Sequence, residues 1–161
     1  MMNRFQTICL RPDRLQFLID DGAAVVLFLA SAVCLGGEGH GLKPFFLLAA
    51  VLLGVYLLLS FWALRRKLFI LTPEMLVYDR GIFFRRADYI ELYRVVDFHE
   101  SQSLLQQIFG LKTVVVYSGD RTTPKLFIPG VHHRDDLISE LRARVEYNKT
   151  RRGVYEITNR C

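Results

Sequence analysis

The sequence predicts a membrane-inserted helical hairpin of two transmembrane helices, followed by a mainly β domain with a C-terminal capping helix. The first observation is Pro44–Leu64, a run of twenty-one residues without a charge, close to the roughly 20 residues that span a bilayer. The second is the shorter apolar run Gly22–Gly36 just before it. The third is the change after Lys67 to short segments rich in branched and aromatic residues, which is typical of antiparallel strands.

The composition limits the class of protein. Of the 161 residues, 52% are hydrophobic and 23% are charged, and the mean hydropathy is +0.23, which excludes a disordered or collagenous chain. The length suits one ordinary domain with a short extra region. The net charge of +5 lies entirely after Leu64, where seventeen Lys or Arg face twelve Asp or Glu. This excess of basic residues is modest, and the sequence lacks the combined aromatic and basic motifs of nucleic-acid-binding modules. A nucleic-acid partner is therefore disfavoured.

The hairpin is predicted over residues 22–64, after an N-terminal segment of residues 1–21. Its second arm covers 44–64. Its first arm needs about 15–36, because Gly22–Gly36 alone would span only about 22 Å as a helix. Asp20 and Asp21 then lie near the headgroups or turn toward the second helix, and residues 37–43 form a glycine-rich turn. A cleaved signal peptide is the competing interpretation of the first run, but a second span follows at once.

Basic residues flank the hairpin on both sides, and they predict its orientation. Three precede it and three follow it: Arg4, Arg11 and Arg14, then Arg65, Arg66 and Lys67. Since positively charged flanks stay on the cytoplasmic side of a membrane, both termini are predicted to be cytoplasmic.

The domain after the hairpin is predicted over residues 65–148 and consists mostly of short strands. Apolar and polar side chains alternate in several of them, as in half-buried strands. The predicted strands are Lys67–Thr72, Met75–Asp79, Ile82–Arg86, Ala87–Leu92, Arg94–Glu100, Lys112–Ser118 and Lys125–Ile128.

Two helices are predicted within this domain. Ser101–Phe109 begins with serines that can cap a helix and ends before Gly110, a typical helix stop. A longer helix from about Arg134 to Tyr147 carries its apolar residues on one face, so it covers the open end of a small sheet or barrel. Residues 149–161 are predicted to form a basic mobile tail.

Several fragments of the chain carry a family resemblance. In order they are LTPEML, GIFFRRADYIELYRVVD, QSLLQQIFG, TVVVYSGD and KLFIPGV, between Leu71 and Val131, with an amphipathic helix after them. Together they resemble the bacterial pleckstrin-homology (PH) domain of the DUF304 or YdbS-like (bPH2) class. The resemblance implies two bent antiparallel sheets that form a PH-like barrel or sandwich, with a helix across one end. It also implies two preceding transmembrane helices, and hence a multi-pass protein of the bacterial cytoplasmic (inner) membrane.

Residue types suited to catalysis occur only in weak arrangements. Asp97, His99 and either Ser101 or Ser103 are the residue types of a hydrolase triad, but they alternate along one strand without a nucleophile elbow. His132 and His133 are adjacent, and no further ligands at metal-binding spacing support them. The sequence therefore predicts that the protein is not an enzyme and has neither a metal site nor a cofactor.

Two groups of side chains are candidates for binding. Basic residues are candidates for contact with anionic lipid or the membrane surface, each contributing about 1 kcal/mol near an anionic leaflet: Arg65, Arg66, Lys67, Arg85, Arg86 and Arg94. The alternatives are topology setting for the first three and a solvated sheet edge for the others. Apolar residues of the short helix either pack under the barrel or contact another membrane protein or a second copy: Leu104, Leu105, Ile108 and Phe109.

The hypothesis that follows is a non-enzymatic, membrane-anchored interaction module. Two helices would hold a PH-like domain at the cytoplasmic face, where it binds a membrane-protein partner or assembles with itself as a homo-oligomer. The alternative is a sensor of anionic lipid headgroups that uses the basic residues. Binding by such a sensor would weaken steeply with salt and with Arg85→Glu or Arg86→Glu, whereas a protein scaffold would keep its partner.

Overall fold

A computed structural model describes residues 5–36 and 41–153. The N-terminal part contains one short strand and three helices: β1 (Ile8–Leu10), α1 (Leu15–Asp20), α2 (Gly22–Gly36) and α3 (Lys43–Arg66). Pro44 lies in the first turn of α3, where a helix needs no N–H donor. Arg65 and Arg66 lie in the last turn, where cations favour the helix dipole.

Among the described residues, α3 is the one helix long and apolar enough to cross a membrane, and α2 is a shorter apolar helix of 15 residues. The predicted first arm is divided, because α1 ends at Asp20 and α2 begins at Gly22. Asp21, between them, faces α3, which is one of the two placements left open by the sequence, and it accepts hydrogen bonds from the Tyr56 hydroxyl at 2.8 Å and from the Ser60 hydroxyl. Of the two predicted membrane-spanning helices, only the second, α3, is thus long enough to cross a bilayer as a single helix.

The remaining chain, together with β1, forms two antiparallel sheets with two further helices. The first sheet has the order β1-β2-β3-β4, with β2 (Leu68–Leu71), β3 (Met75–Arg80) and β4 (Arg86–Glu91). The second has the order β5-β6-β7, with β5 (Val95–Ser101), β6 (Leu111–Ser118) and β7 (Lys125–His132). Helix α4 (Leu104–Phe109) joins β5 to β6, and α5 (Leu137–Arg152) follows β7.

One hydrophobic core is shared by both sheets and α5. Phe69, Ile90, Val116 and Leu141 are among its fully buried members. This is the mainly β fold with a C-terminal helix that the sequence predicts. The core also has a polar member, because the guanidinium of Arg144 in α5 is buried beside the carbonyl oxygen of Leu71, 3.4 Å away.

The first sheet has two ends, which we name by their distance from α3. At the near end, Leu68 follows α3 after the single residue Lys67 and pairs with Asp79, and β3 then enters the turn at residues 81–85. At the far end, residues 72–74 turn the chain from β2 to β3. The C-terminal half of α5 lies there, since Asn148 donates a hydrogen bond to the carbonyl oxygen of Pro73 at 2.7 Å.

The structure corrects two strand predictions and adds one strand that the sequence does not predict. Ile82–Arg86 is not a separate strand: residues 82–85 belong to the turn after Gly81, and Arg86 begins β4. Gly81 has φ +119°, and a Cβ there would lie 1.8 Å from the carbonyl oxygen of Phe84. Arg94 belongs to a short 3₁₀ helix before β5. β1 is an addition, and it pairs with β2.

Three further predictions concern the last helix, the C-terminal tail and the turn of the membrane hairpin. The final helix continues to Arg152 instead of ending near Tyr147, so residues 149–152 are helical. The rest of the predicted tail, at 154–161, and residues 37–40 of the predicted turn lie outside the described residues.

Candidate functional site

A cavity of about 530 Å³ lies at the near end, between the last turns of α3 and the turn from β3 to β4. Its wall is mainly cationic and aromatic, and the residues that line it are Arg11, Phe61, Trp62, Arg65, Arg66, Leu68, Asp79, Gly81 and Arg85. Four guanidinium groups therefore face one carboxylate. We call this the arginine cavity.

Three separate segments bring the four arginines together. Arg65 and Arg66 close α3, and Arg85 lies in the β3–β4 turn that Gly81 permits. Arg11 directly follows β1, whose Leu10 pairs with Phe69 in β2 and so returns the N-terminal segment to the end of α3. Strand pairing, and not proximity in sequence, creates the cluster.

The arginines of the cavity differ in their partners. Arg85 forms an ion pair with Asp79, with Nη2 and Oδ2 2.7 Å apart. Arg11, Arg65 and Arg66 are exposed and form no ion pair with any residue that the structure describes. Guanidinium groups bind phosphate and carboxylate oxygens in a bidentate manner. The cavity can therefore receive an anionic group without first breaking the bonds of these three side chains.

Two aromatic side chains project beside the cavity. Phe83 and Phe84, at the tip of the β3–β4 turn, are 81% and 91% exposed. Because the two residues are adjacent, they form a contiguous apolar patch, and such patches mark contact sites for proteins, ligands or membranes when they are large enough. The sequence shows these two residues in the segment FFRR, shortly after Gly81. Because the sequence predicts a strand there, it does not predict that both phenylalanines are exposed at a turn.

The six basic residues predicted as candidates fall in different places. Arg65, Arg66 and Arg85 line the arginine cavity together with Arg11, which the sequence suggested only as a topology signal. Lys67 caps α3 through its backbone N–H, which donates to the carbonyl oxygen of Leu64, and it does not line the cavity.

Arg86 lines a second cavity of about 480 Å³, on another side of the β3–β4 strand pair. Arg80 and Lys125 also line it, but Arg80 is 3.4 Å from the Asp88 carboxylate and the Lys125 ammonium lies over the Tyr117 ring. Its cations are thus partly occupied by neighbouring side chains.

Arg94 lies at the far end, away from both cavities. Its guanidinium donates to the Tyr93 hydroxyl at 3.0 Å, and this hydrogen bond raises the pKa of Arg94. The same group is 3.3 Å from the Glu91 carboxylate and 3.8 Å from the Asp120 carboxylate. These partners make Arg94 part of an ion-pair network.

The apolar candidates on α4 are on the surface. Leu104, Leu105, Ile108 and Phe109 are all exposed, so the alternative that they pack under the barrel is wrong. The buried residue of this helix is Gln106.

The residues with side chains suited to catalysis do not come together in a site. Asp97, His99 and Ser101 are exposed on β5, and the Asp97 carboxylate accepts a hydrogen bond from the Phe98 backbone. His132 instead lies 3.3 Å from Asp13. Within residues 5–36 and 41–153 there is no group of three or more His, Cys, Asp or Glu placed to hold a metal ion.

Comparison with known protein families agrees with this architecture. A family model described as Bacterial PH domain matches residues 24–147. Because the match covers well over half of the chain, the protein belongs to the bacterial PH domain family. The match confirms the resemblance to a bacterial PH domain that the sequence fragments carry, and it extends the resemblance back into α2. No curated protein and no solved structure matches the chain.

Proposed function

We propose that this member of the bacterial PH domain family is a non-enzymatic, membrane-anchored interaction module whose arginine cavity binds the phosphate of an anionic lipid headgroup. The observation that carries the proposal is the set of three arginines without ion pairs among the described residues, Arg11, Arg65 and Arg66, gathered at the end of α3. It favours the headgroup alternative over the protein scaffold that the sequence first suggested.

The apolar length of α3 supports the anchor. Its 24 residues would extend about 36 Å at 1.5 Å per residue, enough for a hydrocarbon core of about 30 Å. Leu58 and Trp62 are among its many exposed side chains, unlike those of a core helix. Helix α2 packs beside it, with the Phe28 ring 3.4 Å from where a Cβ on Gly54 would lie, and would form the other arm of the hairpin.

The position of the cavity along α3 supports a headgroup as its ligand. A helix that leaves the hydrocarbon at Trp62 places Arg65 and Arg66 among the phosphates, because Trp prefers the interface and basic residues favour the cytoplasmic side. The orientation would be that of a bacterial cytoplasmic membrane protein with both ends inside. Phe83 and Phe84 would then insert beside the bound headgroup.

The experiment is a lipid titration of the full chain, purified in a neutral detergent and observed by native mass spectrometry. Phosphatidylglycerol should bind more tightly than phosphatidylcholine, and its binding should weaken with added salt. Inorganic phosphate, titrated in parallel, distinguishes a lipid site from a site for the free ion. Equal binding of both lipids contradicts the proposal.

A matched pair of variants localises the effect. Arg66→Glu should abolish the preference for phosphatidylglycerol. Arg121→Glu makes the same charge change in the exposed loop between β6 and β7 and should preserve the preference. Equal losses would show that net charge, and not the cavity, governs binding.

A protein-binding function is the second candidate, and one observation favours it. β5 is an edge strand, and a groove of about 330 Å³ runs between Val96 and Phe98 on this strand and Arg142 and Glu146 on α5. An extended peptide can add to such an edge. A photo-reactive residue at position 96 should then give a discrete protein adduct in the native membrane; adducts with lipid alone would count against a partner.

A further inference from the structure

Helix α4 is turned with its polar side inward and its apolar side outward. Leu104 and Ile108 are 78% and 76% exposed, and Leu105 and Phe109 are exposed as well, whereas Gln106 is only 5% exposed. Burying such leucine and isoleucine side chains would normally favour folding. The exposed arrangement therefore needs both a local cause and an apolar occupant.

The local cause is a buried network of amides. The Gln106 side-chain NH₂ donates to Gln16 Oε1 in α1 at 3.0 Å and to Thr113 Oγ1 in β6 at 2.8 Å. Its Oε1 accepts from the Ser103 backbone N–H at 3.0 Å, which completes a capping box. Since buried polar groups are costly without partners, rotating α4 to bury its apolar side chains would break the network. The outward face of α4 is therefore fixed by its neighbours.

The position of α4 indicates what meets this face. Gln16 lies in α1, and the next residue, Phe17, packs edge to face against Phe61 of α3, with ring centroids 5.5 Å apart. α4 is thus one short helix away from the end of α3. α1 also exposes apolar side chains, those of Leu15 and Leu18.

We propose that the outward face of α4 lies in the interfacial region of the same bilayer that α3 crosses, and that it forms a second membrane contact with α1. This rests on the proposed anchor. The sequence of α4, LLQQIF, carries no charge that would resist insertion, and short apolar surfaces bind the headgroup boundary. Although such a short helix would bind weakly by itself, attachment beside α3 keeps it at a high effective concentration. The contact would fix the tilt of the PH domain over the membrane.

The test uses tryptophan quenching by brominated acyl chains in vesicles of neutral phosphatidylcholine that hold the full chain. Native Trp62, the single tryptophan of the sequence, reports on α3. In a Trp62→Phe background, Ile108→Trp reports on α4, and Leu104→Trp gives an independent report if the first variant folds poorly. Val96→Trp is the matched control, since Val96 is 67% exposed but lies beside α5.

The expected result is a blue-shifted emission from the tryptophan at position 108 or 104, reduced about twofold or more by bromine, with no change at position 96. If Trp62 is quenched but positions 104 and 108 are not, α4 lies in water and the inference fails while the anchor stands. If Trp62 is not quenched either, the anchor itself fails. A disulfide between two copies through Leu104→Cys, without quenching, would assign the face to a second copy and overturn the inference.

Discussion

The near and far ends of the first sheet both collect arginines, but they use them differently. At the far end, Arg151 is 2.7 Å from the Glu74 carboxylate, and Arg152 lies over the Tyr93 ring, with its guanidinium 4.2 Å from the ring centroid. At the near end, Arg11, Arg65 and Arg66 line a cavity and form no ion pair with described residues.

The difference shows which cations are available to a ligand. A guanidinium already paired with a carboxylate must lose that partner before it binds another anion, whereas an unpaired one loses only water. The far end therefore serves to attach α5 to the sheets, and the near end is the place where an anion gains most. Predictions follow from changing one end while the other is kept intact.

The largest effect is expected for Arg144→Ala, near the far end. Arg144 is 2% exposed and its guanidinium contacts the Leu71 carbonyl oxygen and the Glu140 carboxylate. The variant loses these contacts and leaves a cavity, so the free energy of unfolding should fall by about 2–4 kcal/mol. Urea unfolding in detergent, followed by circular dichroism, measures this. Arg142→Ala, exposed on the same helix, is the control. If the two variants unfold at the same midpoint, Arg144 does not have the structural role described. Folded Arg144→Ala protein should retain its lipid preference.

Gly81→Ala should disturb the near end. A Cβ at position 81 would collide with the carbonyl oxygen of Phe84, so the turn must change, at a cost of roughly 1–3 kcal/mol. Arg85 would move with the turn, and we expect weaker binding of phosphatidylglycerol as well as lower stability. Gly119→Ala is the control, because its Cβ would meet nothing closer than 3.7 Å. Unchanged lipid affinity in a destabilised Gly81→Ala variant would separate the turn from the site.

A smaller effect is expected for Arg11→Gln. It removes a cation that has no ion pair among the described residues and is worth about 1 kcal/mol, or about fivefold in lipid affinity. The free energy of unfolding should change by less than about 0.5 kcal/mol. Lys67→Gln is an informative control, because Lys67 is next to Arg66 in sequence but outside the cavity. An equal loss for Lys67→Gln would indicate diffuse attraction to the membrane instead of a site.

The smallest effect concerns the start of α5. Asp136 caps this helix, and hydrogen bonds from the Ser139 hydroxyl and backbone N–H hold the pKa of its carboxyl below the ordinary value of 3.8. The cap therefore stabilises the folded state above that value, and the contribution is lost as the pH falls through the lower folded pKa. The stability difference between the protein and Asp136→Asn should be constant near neutral pH and shrink in acid. A difference that grows in acid would have the wrong sign.

The sequence predicts the local elements well because their causes are local. Gly110 ends α4 as the sequence predicts, with φ +66°, whereas the helix begins at Leu104 and not at Ser101, because Ser101 still belongs to β5 and Ser103 is the N-cap. Alternation of apolar and polar residues at positions 90–92 and 96–98 predicts strands there, and these positions fall in or next to β4 and β5. The sequence does not predict β1, because a strand of only three residues shows no recognisable pattern. Its extended structure depends on pairing with β2, which is distant in sequence.

The candidate site could be predicted only in part, because it joins distant segments. Arg65, Arg66 and Arg85 stand out in sequence as basic residues, but only strand pairing brings Arg11 beside them. The direction of the α4 face is likewise set by Gln16, ninety residues away from Gln106. Helical spacing shows that α4 has an apolar face, but not whether that face is inside or outside.

The most direct test of the central claim compares two double variants in the same phosphatidylglycerol titration. Arg65→Gln with Arg66→Gln removes two near-end cations that have no ion pair within the described part of the chain. Arg151→Gln with Arg152→Gln removes two far-end cations that are paired with carboxylates. Native mass spectrometry of the full chain should show about 30-fold weaker binding for the near-end variant and unchanged binding for the far-end variant. Equal losses in the two variants, or no loss in either, would contradict the account.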